Sequence, residues 1–413
     1  MIQEDSVRFL LSKKGNMLPL CAASFLQSSA SGVWAVAIPY IVKRFDGTDT
    51  QLGLCVSLWF VSYLIGCLSF GGFLHRFNPK SVVQVGAGMN VLAAGVLLAV
   101  VILAGRGACP FSPISTLIFL SAVSGIFTSL FWPVVMGWVS TGYEGAVLNK
   151  RLGLFNMSWS LGSLSTPYFS GLMVEYNSTL PIAAHFGFMV LSLIAICFAK
   201  NPDSLAKTGA AAVLLPDDTI AALLPKFRLM ARVALLCAFV CVGLVRTQLA
   251  VFFKFELMHS ESDYGTAMLA MSIMIFTIFM LAGRTHSWHY KLWLFAAGQV
   301  LPLVSLLMIL SCTSLIALVA AIAMVGIGQS FIYTSHIYYG VSGGKNRSGR
   351  MAIHETILAL GIACGGLFGG MISDKFDKYS PYKFGIAVIL AGLLAQAVIW
   401  FWGRGKKDAN VVK

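Results

Sequence analysis

Charge is what this 413-residue sequence has least of: Asp, Glu, Lys and Arg make up 11% of it, against 58% hydrophobic residues. A water-soluble domain carries roughly 25% charged residues, and half that density cannot coat a water-facing surface. An ordinary soluble enzyme is therefore excluded. Acidic residues are the scarcer kind, 16 against 29 basic ones, for a net charge of +13. No polar segment interleaves the basic residues with aromatics, so the excess does not point to nucleic acid.

Metal-ligand spacing is missing too. Most of the nine cysteines fall inside apolar runs, where a thiol behaves as a small hydrophobe, and no cofactor or metal is expected. Cys109 and Cys312 fall in loops on the same predicted side, where geometry decides whether they pair. The glycine-rich stretch from Val341 to Asn346 lacks the preceding strand and the ending of a phosphate-cradling loop. His75, His286 and His289 are the only raw material for acid–base chemistry at an interface, and they form no catalytic spacing. Lys13 and Lys14 precede an apolar run longer than the ~7–15 residues of a signal peptide, with no clean small-x-small site after it, so it reads as a retained first span.

What is present is apolar sequence in long blocks. About 18 consecutive apolar residues suffice for a membrane-spanning helix, and the chain offers twelve such blocks: 17–42, 52–74, 82–103, 114–139, 152–174, 182–199, 230–253, 266–282, 292–310, 315–341, 351–372 and 384–402. The fold class expected is all-α, a polytopic membrane protein of twelve transmembrane helices in two pseudo-symmetric six-helix bundles. The bundles are 1–199 and 229–413. A polar linker, 200–228, joins them and contains a short surface helix at 219–224. With both termini inside, roughly three Lys or Arg lie on the cytoplasmic side for each one outside, which sets the orientation; Lys43 and Arg44 run against the trend. Trp400 and Trp402, followed by Arg404, Lys406 and Lys407, read as an interfacial anchor.

The halves resemble each other. With no gap, Arg151 falls over Arg350, Leu161 over Leu360, Gly162 over Gly361, Phe169 over Phe368, Gly171 over Gly370 and Glu175 over Asp374. The fifth and eleventh spans are thus counterparts. Six spans separate them, so they cross in the same direction, as in a parallel repeat about the membrane normal.

After the second span the chain reads Gly71, Arg76 and Lys80 in a stretch that also holds His75 and Asn78. The fifth span carries Gly162, Thr166, Pro167, Ser170 and Gly171. These stretches resemble two motifs of the major facilitator superfamily, a Gly-x-x-x-Asp-Arg-x-Gly-Arg-Lys loop and a Gly-x-x-x-Gly-Pro-x-x-Gly-Gly helix. The resemblance extends, as topology, over essentially the whole chain. It implies two bundles around a central cavity, lined by the first, fourth, seventh and tenth spans and working by alternating access. Where the family has an aspartate that latches the halves, this chain has His75, beside Arg76. The fourth span lacks the arginine usual in proton-driven drug antiporters of the family, and the middle loop lacks the sugar-porter signature, so no branch is assigned.

Ionisable and polar groups inside a bilayer are costly and are functional candidates by default. Arg246 lies well inside the seventh span, where its planar fork suits a carboxylate or phosphate; the alternatives are a structural ion pair or snorkelling to the interface. Gln248 and Thr247 neighbour it. Gln27 in the first span, Trp132 in the fourth, and Gln329, Tyr333 and His336 on one face of the tenth complete the substrate-binding candidates. Coupling or gating candidates are Glu355, with His354 beside it, its repeat counterpart Asn156, and Arg151, Arg350, His75 and Arg76. Glu355 serves either as a proton carrier or as a gate pair with Arg350 or Arg151. Asn177, Ser178 and Thr179 form a glycosylation sequon, meaningful only in a eukaryotic secretory system.

The expected function is a secondary active transporter or facilitator, not an enzyme, moving a small organic solute, anionic if Arg246 binds it, with a proton as coupling ion. The setting is a lipid bilayer, read as the bacterial inner membrane, and the protein a monomer. A non-transporting receptor or scaffold, a membrane-embedded enzyme and a carrier of lipid-like solutes are the competing readings.

Overall fold

A computed structural model of the chain describes residues 16–47, 49–177, 179–201, 218–259, 261–343 and 346–402. Among these residues every long element is a helix. They are α1 Met17–Arg44, α2 Asp49–Gly71, α3 Pro79–Gly105, α4 Pro113–Thr128, α5 Trp132–Ser140, α6 Gly145–Tyr176, α7 Leu180–Phe198, α8 Asp218–Phe255, α9 Glu261–Arg284, α10 Leu292–Ser311, α11 Leu315–Val341, α12 Arg347–Lys375 and α13 Ser380–Phe401, with a one-turn 3₁₀ helix at Leu74–Arg76. Because α4 and α5 are two pieces of one span, these are twelve spans. Nine are long and apolar enough to cross a membrane among the described residues. Helices α1, α2 and α6 reach across by length, with 28, 23 and 32 residues.

The fourth span crosses where expected, over Pro113–Ser140, but in two helical pieces. Pro133 has no N–H to give the Ser129 carbonyl, and its ring crowds that carbonyl. The chain responds with tight i→i−3 bonds, Leu130 N to Phe127 O at 3.1 Å and Phe131 N to Thr128 O at 3.0 Å, before the helix resumes with Val135 N to Phe131 O at 2.9 Å. The predicted surface helix at 219–224 is not separate: α8 runs from Asp218 to Phe255 with Pro225 inside it. All nine cysteines are free.

The described residues sort into two compact units. Unit 1 comprises residues of Met1–Tyr143, Leu154–Val213 and Gly344–Thr356; unit 2 comprises Glu144–Gly153, Leu214–Gly343 and Ile357–Lys413. In unit 1, α1 packs on α7, α2 on α4, and α3 on both α4 and α7; in unit 2, α8 packs on α13, α9 on α11, and α10 on both α11 and α13. Taken as spans, the pairs of one unit match those of the other at an offset of six spans. Small residues make these approaches possible: a Cβ on Gly125 would overlap the Trp59 carbonyl of α2.

Candidate functional site

Unit 1 buries a carboxylic acid. Glu355 sits in the third turn of α12 with 6% of its surface exposed, and its Oε2 accepts a hydrogen bond from the Tyr63 hydroxyl of α2 at 2.8 Å. Among the described residues Glu355 makes no ion pair; its hydrogen-bond partner is the Tyr63 phenol. Tyr63 stacks on Trp59 with ring centroids 5.3 Å apart, and the Cys67 thiol lies within electrostatic reach of the carboxyl. Small residues bring the start of α12 this close. Gly71 lies against Ala352, and a Cβ on Gly137 of α5 would strike Ser348. Arg347 fastens the same segment by donating to the carbonyls of Ser140 and Tyr143, the second at 2.9 Å. A cation there also complements the negative end of α5. His354 is fully buried and Arg350 half-buried. Arg76 is exposed, and the side chain of His75 lies outside the described residues.

Also in unit 1, Asn156 of α6 is fully buried; its Oδ1 accepts from Trp159 Nε1 at 3.2 Å while its Nδ2 has no partner among the described residues. Trp132, released by the helix break, meets Phe155 edge-on at 6.3 Å. Gln27 is 1% exposed with its Oε1 unsatisfied. A buried polar atom without a partner is unfavourable by about 1–3 kcal/mol, so Gln27 and Asn156 stand out as groups able to receive a ligand or water.

In unit 2, Arg246 is exposed. It has no hydrogen bond or ion pair among the described residues, and the Tyr264 phenol of α9 is its electrostatic neighbour. Gln248 and Thr247 do not join it. Thr247 bonds back to the Gly243 carbonyl at 2.7 Å and packs at Gly366, and Gln248 lies against Gly369 and Gly370 of α12. Two residues further along a helix is a rotation of about 200°, which takes Gln248 to the opposite face. Tyr333 is 5% exposed and touches the rings of Phe239 at 6.2 Å and Phe279 at 5.5 Å. Gln329, one turn away on the same face, is 6% exposed with its Oε1 unsatisfied. His336, buried further along, lies in the field of Arg228 and Arg232. Arg151, also of unit 2, is 2% exposed and engaged. Tyr63, Tyr264 and Phe239 had no flag in the sequence, because a single aromatic in an apolar run looks like any other.

A Major Facilitator Superfamily model matches residues 20–342. No curated protein matches the sequence. Solved structures with a similar fold include the proton:xylose symporter XylE, 12% identical with TM-score 0.68 over 93% of this chain and 94% of that one. The E. coli fucose:proton symporter FucP is 13% identical with TM-score 0.68, over 92% and 98%. The human organic anion transporter MFSD10 is 12% identical with TM-score 0.68, over 92% and 98%.

Proposed function

The chain belongs to the Major Facilitator Superfamily, and from that premise we propose that it carries a small organic anion across a membrane by alternating access, coupled to protons. As a member of that family it is a multi-pass membrane transporter and not an enzyme. The observation that supports an anionic solute is Arg246, a guanidinium held inside a span with no acidic partner among the described residues. A cation inside a span without a protein counter-ion is costly unless something neutralises it, and a carboxylate or phosphate on the solute does so with two parallel hydrogen bonds. Likeness to sugar symporters and to an organic anion transporter at these identities carries the fold and not the substrate.

Glu355 is the proposed proton carrier, a buried acid whose charge is met by a phenol rather than a cation. The halves 1–199 and 229–413 act as the moving bundles, joined by 200–228. The termini are cytoplasmic, the membrane is a bacterial inner membrane and the working form is a monomer.

The test is uptake in proteoliposomes under an imposed pH gradient, with labelled benzoate, phenylacetate and citrate set against xylose and fucose. Transport of at least one acid, lost in Arg246→Gln, supports the reading. Movement of the neutral sugars alone, indifferent to Arg246→Gln, overturns the anion. Binding without any movement would leave a receptor.

A further inference from the structure

Both partners of the Tyr63–Glu355 hydrogen bond are held by backbone contacts in unit 1. Tyr63 is 2% exposed and stacks on Trp59, one turn earlier in α2, with the ring planes 11° apart. Helix α2 is itself fixed, since a Cβ on Gly125 of α4 would overlap the Trp59 carbonyl. On the other side, Ala352, one turn before Glu355, sits against Gly71 of α2. Arg347 holds the carbonyls of Ser140 and Tyr143. The Cys67 thiol of α2, one turn after Tyr63 and also 2% exposed, faces the same carboxyl. Arg350 and His354 are the ionisable neighbours of Glu355 on α12 itself.

The internal repeat shows what the phenol accompanies. With Arg151 over Arg350, Gly153 falls over Ala352 and Asn156 over Glu355. Gly71 packs on Ala352, and Gly283 packs on Gly153. Gly71 and Gly283 are therefore counterparts, which places Tyr63 over Ile275. The acid and its donor stand together in one copy and are both missing from the other. Close packing at the glycine is common to both copies, so the hydroxyl goes with the acid and not with the packing.

We infer, resting on the proton-carrier reading above, that Tyr63 is a positioning residue of the proton site: its fixed hydroxyl sets the pH at which Glu355 gives up its proton. A donor aimed at a carboxylate supports the charged form more than the neutral one. Among the described residues no cation pairs with Glu355, so this phenol is the group that supports its charge. Without the hydroxyl, the ionised carboxylate loses that support while the protonated acid loses little. The acid then keeps its proton to higher pH.

The experiment is an infrared-monitored pH titration of the full chain purified in detergent. The carboxylic acid band that Glu355→Gln removes is assigned to Glu355, and its midpoint is compared among variants. Tyr63→Phe, which keeps the ring and its stack, should move the midpoint to higher pH by about one unit or more, the size of one hydrogen bond to a charged group. Replacing Tyr63 by 3-fluorotyrosine, a stronger donor of nearly the same size, should move it to lower pH. This second variant decides the matter if Tyr63→Phe does not fold, which its melting curve reports. A midpoint unmoved by either change, even with a lowered melting temperature, reduces Tyr63 to packing and overturns the inference while the carrier reading stands. If Glu355→Gln shows accumulation driven by a pH gradient, the carrier reading falls and takes the inference with it.

Discussion

Tyr63 of α2 donates its phenolic hydrogen to Oε2 of Glu355 in α12 at 2.8 Å, across 292 residues of sequence and inside a single compact unit. The bond ties the first turns of α12 to a helix from the other end of the chain, and it changes character with one proton. An ionised carboxylate accepts strongly from a phenol; a protonated one offers a weaker, neutral contact. Glu355→Gln, which mimics the neutral acid, should leave solute exchange intact and remove accumulation driven by a pH gradient. Retained gradient-driven accumulation in that variant would exclude Glu355 as the proton carrier. Infrared spectra of the purified protein across a pH titration should show a carboxylic acid band that the variant lacks.

Removing the phenol instead leaves the acid without its donor. Tyr63→Phe should lower stability by roughly 1–3 kcal/mol, the range for a hydrogen bond to a group able to carry charge, read as a drop in melting temperature in detergent. An unchanged melting temperature would mean that water replaces the phenol at no loss.

At the start of α6 and the end of α9, Gly153 and Gly283 face each other so closely that a Cβ on either would overlap the other's backbone. Asn149 seals the junction by donating to the carbonyls of Ala282 and Thr285, both at 2.6 Å. Gly153→Leu should therefore force the helices apart, a destabilisation of about 1–3 kcal/mol or more. Gly187→Leu, where nothing lies within 4 Å of the added carbon, should stay within about 0.5 kcal/mol of the parent. Comparable melting temperatures for the two variants would refute the close contact.

His289 sits in the connection between α9 and α10, stacked on Tyr338 at 3.9 Å and edge-on to Trp288 at 4.3 Å. Burial, reinforced by the nearby His286, pushes its pKa down from 6.5 to about 3. The sign follows: above 6.5 the ring is neutral in both folded and unfolded chains, and its contribution is complete. As pH falls from 6.5 toward 3 the unfolded chain takes up a proton that the folded chain refuses, so stability declines. His289→Phe should flatten that acid limb in a series of melting curves; an unchanged limb would assign the acid sensitivity elsewhere.

Much of the architecture was legible beforehand. Leu315–Val341 forms the tenth span at the bounds expected from its apolar run, and the packed helix pairs of the two units match at an offset of six spans. The break in the fourth span could have been drawn from Pro133, whose missing N–H leaves the carbonyl four residues back unpaired. The extension of α8 back to Asp218 was hidden, because its first turns are polar and contain Pro225, features that local rules assign to a linker. Gln248 was grouped with Arg246 by nearness in sequence, although helix rotation alone separates them. The Tyr63 partner of Glu355 was out of reach, because nothing about Tyr63 distinguishes it from the other aromatics of α2.

The sequence by itself determined that the chain threads a bilayer as closed helices, since lipid offers a backbone amide no partner and each apolar block must satisfy its own hydrogen bonds. The tertiary structure alone decided which polar groups meet and which stay unsatisfied. Those pairings depend on close approach between helices distant in sequence, made at positions such as Gly71 and Gly153, and periodicity along one segment carries no information about them.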